Sequence, residues 1–281
     1  MKIKICSDST CDLTAGLLKK YNVSVLPLYV MKDEEEHRDG VDITPDEIYA
    51  FTNETGKLCT TAAISVQDYI DFFNEQFKEY DEIVHFHISS EMSSCYQNAI
   101  IAAGEVDKKV YSIDARNLST GIGQLVLSAC EMAAQGASGA EIAEAMNAKR
   151  EKLDVSFVVD TLVYLHKGGR CSAVAALGAN LLSLKPCIEV KDGKMGVGKK
   201  YRGSMEKCLT QYVRDRLEGR DDIDTKRIFI THSGVSLELI EKLRTEVMKY
   251  QNFEEILVTR AGSTISSHCG PGTLGILFFA K

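Results

Sequence analysis

Several things are missing from this sequence, and each absence removes a class of function. No apolar run approaches the roughly eighteen residues of a membrane-spanning helix, and Lys2-Ile3-Lys4-Ile5-Cys6 alternates like a strand. A soluble, cytoplasmic chain is therefore expected, with no stable membrane insertion. Basic residues form no stripe: 33 Lys and Arg are scattered among 40 Asp and Glu, for a net charge of -7, which excludes nucleic acid as the expected partner. Nine cysteines, at 6, 11, 59, 95, 130, 171, 187, 208 and 269, make an odd number with no C-x2-C pair. That pattern speaks against a disulfide framework or a zinc ribbon and for reduced thiols. His85 and His87 alternate along one strand, but no third ligand is spaced to join them, so no metal site is expected. Nucleotide and hydrolase signatures are absent as well. Gly121-Ile122-Gly123 lacks its third glycine, there is no phosphate-binding G-x-x-x-x-G-K-[ST], and no G-x-S-x-G elbow occurs. No internal repeat or low-complexity linker divides the chain.

What is present is enough material for a large core: 281 residues, 44% of them hydrophobic, suit two domains. Up to about residue 153 the pattern is strand then helix, repeated. Strands are expected at Lys2 to Cys6, Val23 to Val30, Ile83 to His87 and Val110 to Ile113. Lys32 to Asp39 reads as a charged, solvated connection, and Leu58 to Ile64 leads into a helix capped by Ser65. Thr44-Pro45-Asp46-Glu47 and Ser138-Gly139-Ala140-Glu141 are capping boxes that open helices, and a long helix is expected from about Ser119 through Ala134. This order implies a mostly parallel, Rossmann-like sheet with right-handed crossovers. From Val155 the character changes. Lys191-Asp192-Gly193-Lys194 centres a tight hairpin, Ser172 to Leu184 reads as a helix, and further strands follow at Arg227 to Thr231, Glu255 to Val258 and Leu274 to Phe279. The expected fold class is thus α/β: an N-terminal α/β domain over 1–153 and a C-terminal α+β domain with a mixed sheet over 154–281.

Two polar segments are candidates for chemistry. Ile88-Ser89-Ser90-Glu91-Met92-Ser93-Ser94-Cys95 follows the apolar strand ending at His87, and lies where an open α/β sheet places its ligand crevice. Ser89, Ser90, Ser93 and Ser94, with the free N–H groups of the new helix, suit an anion; they equally suit plain helix capping. Ser263 to Gly272 is the other. Gly270 and Gly272 permit close backbone approach and His268 can change charge near neutral pH, yet Gly-Pro-Gly is also ordinary turn chemistry around a surface histidine. Ser93 or Cys95 with His268 could serve a small-molecule hydrolase or transferase, which is the alternative function, although no carboxylate is obviously placed to orient the histidine. Asp8 and Asp114 end strands and read as loop-capping acids rather than an acid/base pair.

Four segments in order carry a resemblance: Ser7-Asp8-Ser9-Thr10-Cys11-Asp12-Leu13, Ile88-Ser89-Ser90 through Tyr96-Gln97-Asn98-Ala99, Val159-Asp160-Thr161-Leu162 with Lys167-Gly168-Gly169-Arg170, and His268-Cys269-Gly270-Pro271-Gly272 with Leu274-Gly275. Across essentially its whole length the chain resembles the DegV family of fatty-acid-binding proteins, of the fatty acid kinase B subunit type. The resemblance implies a two-domain carrier without catalysis of its own and without a cofactor. It would bury a long-chain fatty acid in a tunnel between its domains and present the carboxylate to a separate kinase subunit for acyl-phosphate formation. By motif position the carboxylate would be held by Thr61, Ser93 and His268, with Ser94, Arg170, Cys269 and Gly270 supporting. Arg202, in a basic cluster just past the hairpin, is the expected docking contact for the kinase. The segment Ala173 to Leu184 reads as core helix with a share in lining the tunnel. The sequence departs from the family pattern at Ala62-Ala63-Ile64, Ser94-Cys95 and Cys269, which bears on ligand choice.

Overall fold

The computed structural model describes residues 2–175 and 184–281. In chain order, β1 (Ile3–Asp8) is followed by a one-turn 3-10 helix at Ser9–Cys11, α1 (Ala15–Lys20), β2 (Ser24–Leu26), β3 (Tyr29–Lys32), β4 (Glu35–Arg38) and α2 (Pro45–Thr55). Then come β5 (Thr60–Ala62), α3 (Val66–Gln76), β6 (Glu82–His87), α4 (Cys95–Ala103), β7 (Lys109–Asp114), α5 (Thr120–Ala134) and α6 (Gly139–Lys149). The second half holds β8 (Leu153–Val158), α7 (Val163–Gly168), α8 (Ser172–Ala175), β9 (Leu184–Lys191), β10 (Lys194–Arg202), α9 (Met205–Leu217) and β11 (Ile223–Ser233). It closes with α10 (Leu237–Tyr250), β12 (Glu255–Arg260), α11 (Ser263–Cys269) and β13 (Thr273–Ala280).

These strands build three sheets. The first, in order β2-β1-β6-β7, is wholly parallel, as the repeated strand and helix pattern requires. The second, β10-β9-β8-β13-β11-β12, is mixed, with only β11 and β12 parallel. Together they make the fold α/β, with a parallel Rossmann-like sheet and a mixed one. α5 lies between the two, touching β1 and β6 on one side and β8, β11 and β13 on the other. Its first eleven residues, Thr120 to Cys130, are all buried. A helix buried on every side needs its polar groups matched, and the Gln124 amide meets this through Nε2, which donates to the carbonyls of Arg227 and Leu277, both at 3.1 Å, while its Oε1 has no partner among the described residues.

Three sequence expectations change here. The strand expected over Val23 to Val30 is two strands in different sheets, because Pro27 cannot continue a ladder: β2 joins the parallel sheet and β3 leaves it. The connection expected over Lys32 to Asp39 is instead a hairpin, with Asp33 at φ 54 turning β3 into β4; together with β5 these form a third, antiparallel sheet. Its alternation was masked because both faces of Glu35–Arg38 carry charged groups. The turn expected over Ser263 to Gly272 is for the most part the buried helix α11. Its serines and threonine look like loop composition, but Ser266 and Ser267 satisfy their hydroxyls on the carbonyls of Ala261 and Ser263. Of the helix expected over Ser172 to Leu184, Ser172–Ala175 is α8 and Leu184 begins β9; the part over 176–183, and with it the tunnel-lining expectation for Ala173 to Leu184, lies outside the described residues. The hairpin at Asp192-Gly193 forms as read, with φ 51 and 80 at its two central residues.

Candidate functional site

The carboxyl ends of β1 and β6 open toward α11, and there segments remote in sequence close around a cavity of about 50 Å³. Thr61, at the centre of β5 and paired with Val30 of β3, enters from the small antiparallel sheet. Its Oγ1 meets His268 Nε2 of α11 at 2.8 Å across 207 residues of sequence. Ser93 comes from the turn before α4 and Arg170 from the turn after α7; both line the same cavity. Three groups expected to hold a carboxylate thus share one small space, with a guanidinium beside them.

The serine-rich turn divides its labour. Ser89 Oγ donates to the carbonyl of Gly193 at 2.7 Å, pinning the tip of the second sheet's hairpin onto the first sheet. Ser90 Oγ donates to Asp114 at 2.6 Å. Both are spent on the fold, so the expectation that they serve an anion is corrected, and Asp114 is a loop-organising acid. Ser93 Oγ accepts from the N–H of Cys95 at 3.3 Å and donates to Cys95 Sγ at 3.2 Å, capping α4 while facing the cavity. Ser94 is exposed, makes no capping bond and does not line the cavity. Arg202 is exposed at the end of β10, paired with Leu184, and does not line the cavity.

His268 is neutral near pH 7. Burial pushes its imidazole down to about 4, and the positive charge of Arg170 pushes the same way. Its Nδ1 has no hydrogen-bond partner among the described residues. A hydrolytic arrangement would bond the ring to a nucleophile on one side and an acid on the other; here Nε2 is bonded to Thr61. Cys95 is buried with its thiol pushed up to about 11, far from a thiolate. Cys269 lines the cavity and is likewise pushed up by burial, to about 12. Gly270, at φ 76, turns the chain out of α11, where a β-carbon would strike the ring of Tyr164.

His85 and His87 stand apart from this site. Their rings stack at 4.4 Å and 2° within a cage that includes Tyr69, and burial holds both neutral, His87 at about 3. Among the described residues no group of three or more metal-ligating side chains occurs, and no helix is long and apolar enough to cross a membrane.

The apolar part of the site is what the sequence did not reveal. Leu118, Ile265 and Cys269 form a wall shared with a second cavity of about 30 Å³, whose far side is Phe157, Gly275 and Leu277 of the mixed sheet. Met92 and Met195 complete the first cavity. Nothing in the sequence separates these from ordinary core residues, since they come from six elements and share no spacing. Asp12 and Asp39 were also missed as site-builders. Asp12 accepts from the N–H of Gly262 at 2.8 Å and from the hydroxyl of Ser119, and Asp39 accepts from the N–H of Ser263 at 2.7 Å and from Ser9 Oγ at 2.8 Å. They fix the start of the helix that carries His268. Asp8, whose carboxyl burial pushes up to about 6, joins the same loop to the N–H of Ile88 at 2.9 Å.

Comparison with known proteins agrees along the whole chain. The model described as "Uncharacterised protein, DegV family" matches residues 2–281. A fatty acid-binding protein of Thermotoga maritima is 30% identical over 98% of this chain and 96% of its own. Among solved structures, a DegV family protein from Thermus thermophilus described for fatty acid binding superposes with a TM-score of 0.89 at 34% identity, covering all of both chains. A stearic acid-binding protein from Eubacterium ventriosum superposes with a TM-score of 0.84 at 28% identity, covering 99% of this chain and 98% of its own. With a matching fold and a family model spanning all but the first residue, this chain belongs to the DegV family.

Proposed function

We propose that this protein is a carrier for a long-chain fatty acid, with the carboxylate held by Thr61, Ser93 and His268. The observation that carries the reading is the 2.8 Å contact between Thr61 and a neutral His268 in a cavity shared with Ser93 and Arg170. If His268 carries its proton on Nε2, Thr61 Oγ1 accepts from the ring and its own hydroxyl hydrogen is free for an anion. Ser93 supplies a second hydroxyl. Charged hydrogen bonds of this kind are each worth about 1.5 to 3 kcal/mol, and Arg170 adds a positive field without having to touch the ligand.

Affinity comes from the tail. Burying some fifteen methylenes at about 0.8 kcal/mol each gives on the order of 12 kcal/mol before ordering costs. The path is from the first cavity past Leu118, Ile265 and Cys269 into the second, between a lobe of residues 1–153 and one of 154–281. At about 50 and 30 Å³ the two cavities fall well short of the ~300 Å³ of a usual ligand pocket, so taking up an acyl chain requires the walls around them, Leu118, Ile265 and Cys269 included, to move apart. We further propose that the carrier presents its carboxylate to a separate kinase subunit for acyl-phosphate formation, with Arg202 as a docking contact. The reaction would then belong to the kinase, and this chain would do no chemistry. Organic extraction of the purified protein, followed by mass spectrometry, is expected to release fatty acid. A protein that holds none and takes up neither oleate nor palmitate is not a carrier.

A further inference from the structure

We propose that Gly168 is a positioning residue for His268, its missing side chain being the seat of the imidazole. α7 ends at Gly168, and α11 packs across it. A β-carbon built on Gly168 overlaps His268 Nδ1 and comes within 3.3 Å of Cε1 and 3.4 Å of Cγ. The three nearest atoms all belong to this ring, so among the described residues it is the ring that demands the glycine. Backbone conformation does not demand it either. Gly168 is helical, and the left-handed residue that ends α7 is its neighbour Gly169, at φ 67, around which a β-carbon would meet open space. The two adjacent glycines therefore serve different ends, one for the chain direction and one for the ring.

The contact is reciprocal. Tyr164 of α7 lies against Gly270 just past α11, as His268 of α11 lies against Gly168 of α7, so each helix yields a β-carbon to the other's ring. Arg170 completes the unit by donating through Nη1 to the carbonyl of Gly168 at 2.8 Å. With its Nδ1 edge flush against α7, the ring can turn only so far, and Nε2 is left facing Thr61. A methyl group at 168 displaces the ring and uncouples it from Thr61.

The functional consequence rests on the carrier reading; the geometric claim does not. Helical Gly→Ala exchanges stabilise where space allows, because the unfolded chain loses freedom. Gly168→Ala is therefore expected to lower the melting temperature in the wild-type background and to raise it in a His268→Ala background, where the ring is gone. Oleate affinity should fall about tenfold for Gly168→Ala, and adding Gly168→Ala to His268→Ala should change it less than twofold. Imidazole nitrogen shifts of His268 in the ligand-free protein should move in Gly168→Ala and stay in place in Lys167→Ala, an exposed neighbour. Equal effects of Gly168→Ala in both backgrounds, unmoved imidazole shifts, or failure of both the single and the double variant to fold each overturn the proposal. A single variant that fails to fold beside a double variant that folds supports it. If wild-type protein binds no oleate while the imidazole shifts respond as stated, the carrier reading fails and the seat for His268 stands.

Discussion

The two ends of α11 are built on opposite plans. At its start, the N–H groups of Gly262 and Ser263 are met by Asp12 and Asp39, and each of these carboxylates takes a second bond from a hydroxyl. Asp12 and Ser119 even sit at positive φ, 50 and 52, a conformation non-glycine residues adopt only when their surroundings insist. At its end, among the described residues, His268 has one hydrogen-bond partner, Thr61, on Nε2 and none on Nδ1. A saturated polar cluster is a fixture, whereas a sparsely bonded one in a cavity has capacity left for a ligand. The comparison separates the acids, which are saturated and hold the helix, from Thr61, Ser93 and His268, which face a cavity with fewer and weaker bonds.

That division is broken or sharpened by four experiments. The largest effect is expected at the fixed end. Asp39→Ala removes two charge-assisted bonds and leaves a buried N–H without its partner, so urea unfolding should show a loss of about 3 to 5 kcal/mol; a loss under 1 kcal/mol would mean the start of α11 is not anchored there. Next comes pH. His268 titrates near 6.5 when unfolded and near 4 when folded, so the fold favours the neutral ring. Its contribution is complete above pH 6.5 and is lost as pH falls toward 4, amounting to about 3 kcal/mol. Asp8 has the opposite sign. Its carboxyl is raised to about 6, so its contribution is present below about 3.8 and lost as pH rises through 6. In stability measured against pH, His268→Gln should flatten part of the acid limb and leave the rest to His85, His87 and paired carboxylates such as Glu131; an unaltered acid limb would contradict the neutral ring.

Third, at the open end, Thr61→Val and Ser93→Ala should each weaken oleate binding by about 1 to 3 kcal/mol, seen by calorimetry, while the melting temperature holds for Thr61→Val and falls only by the loss of a helix cap for Ser93→Ala. A large drop in melting temperature with intact affinity would invert the comparison, making these groups fixtures too. The smallest direct effect is at Arg202. Reversing its charge with Arg202→Glu should leave oleate affinity within twofold and reduce acyl-phosphate formation by an added kinase subunit; undiminished turnover removes Arg202 from the docking surface.

Reading the chain linearly succeeded where physics is local. The capping boxes at Thr44 and Ser138, the hairpin at Asp192-Gly193 and the apolar strand ending at His87 each carry their signal within a few residues, and each is found as read. It failed where the deciding partner lies far along the chain. Glu35–Arg38 became a strand because β3 offered it an edge, and Ser263–Cys269 became a buried helix because carboxylates from residues 12 and 39 receive its first N–H groups.

By itself, then, the sequence determined the parallel sheet of the first half, the mixed sheet of the second, the absence of a basic stripe and the family motifs that pointed to Thr61, Ser93 and His268, because periodicity, charge and short-range turn chemistry are written residue by residue. Only the tertiary structure decided that Ser89 and Ser90 are occupied while Ser93 faces a cavity, that the apolar wall is Leu118, Ile265 and Cys269, and that a glycine hundreds of atoms away along the chain makes room for an imidazole. Contacts between α7, α11, β5 and the turn after β6 depend on how whole elements pack, and packing leaves no spacing in the sequence from which it could be read.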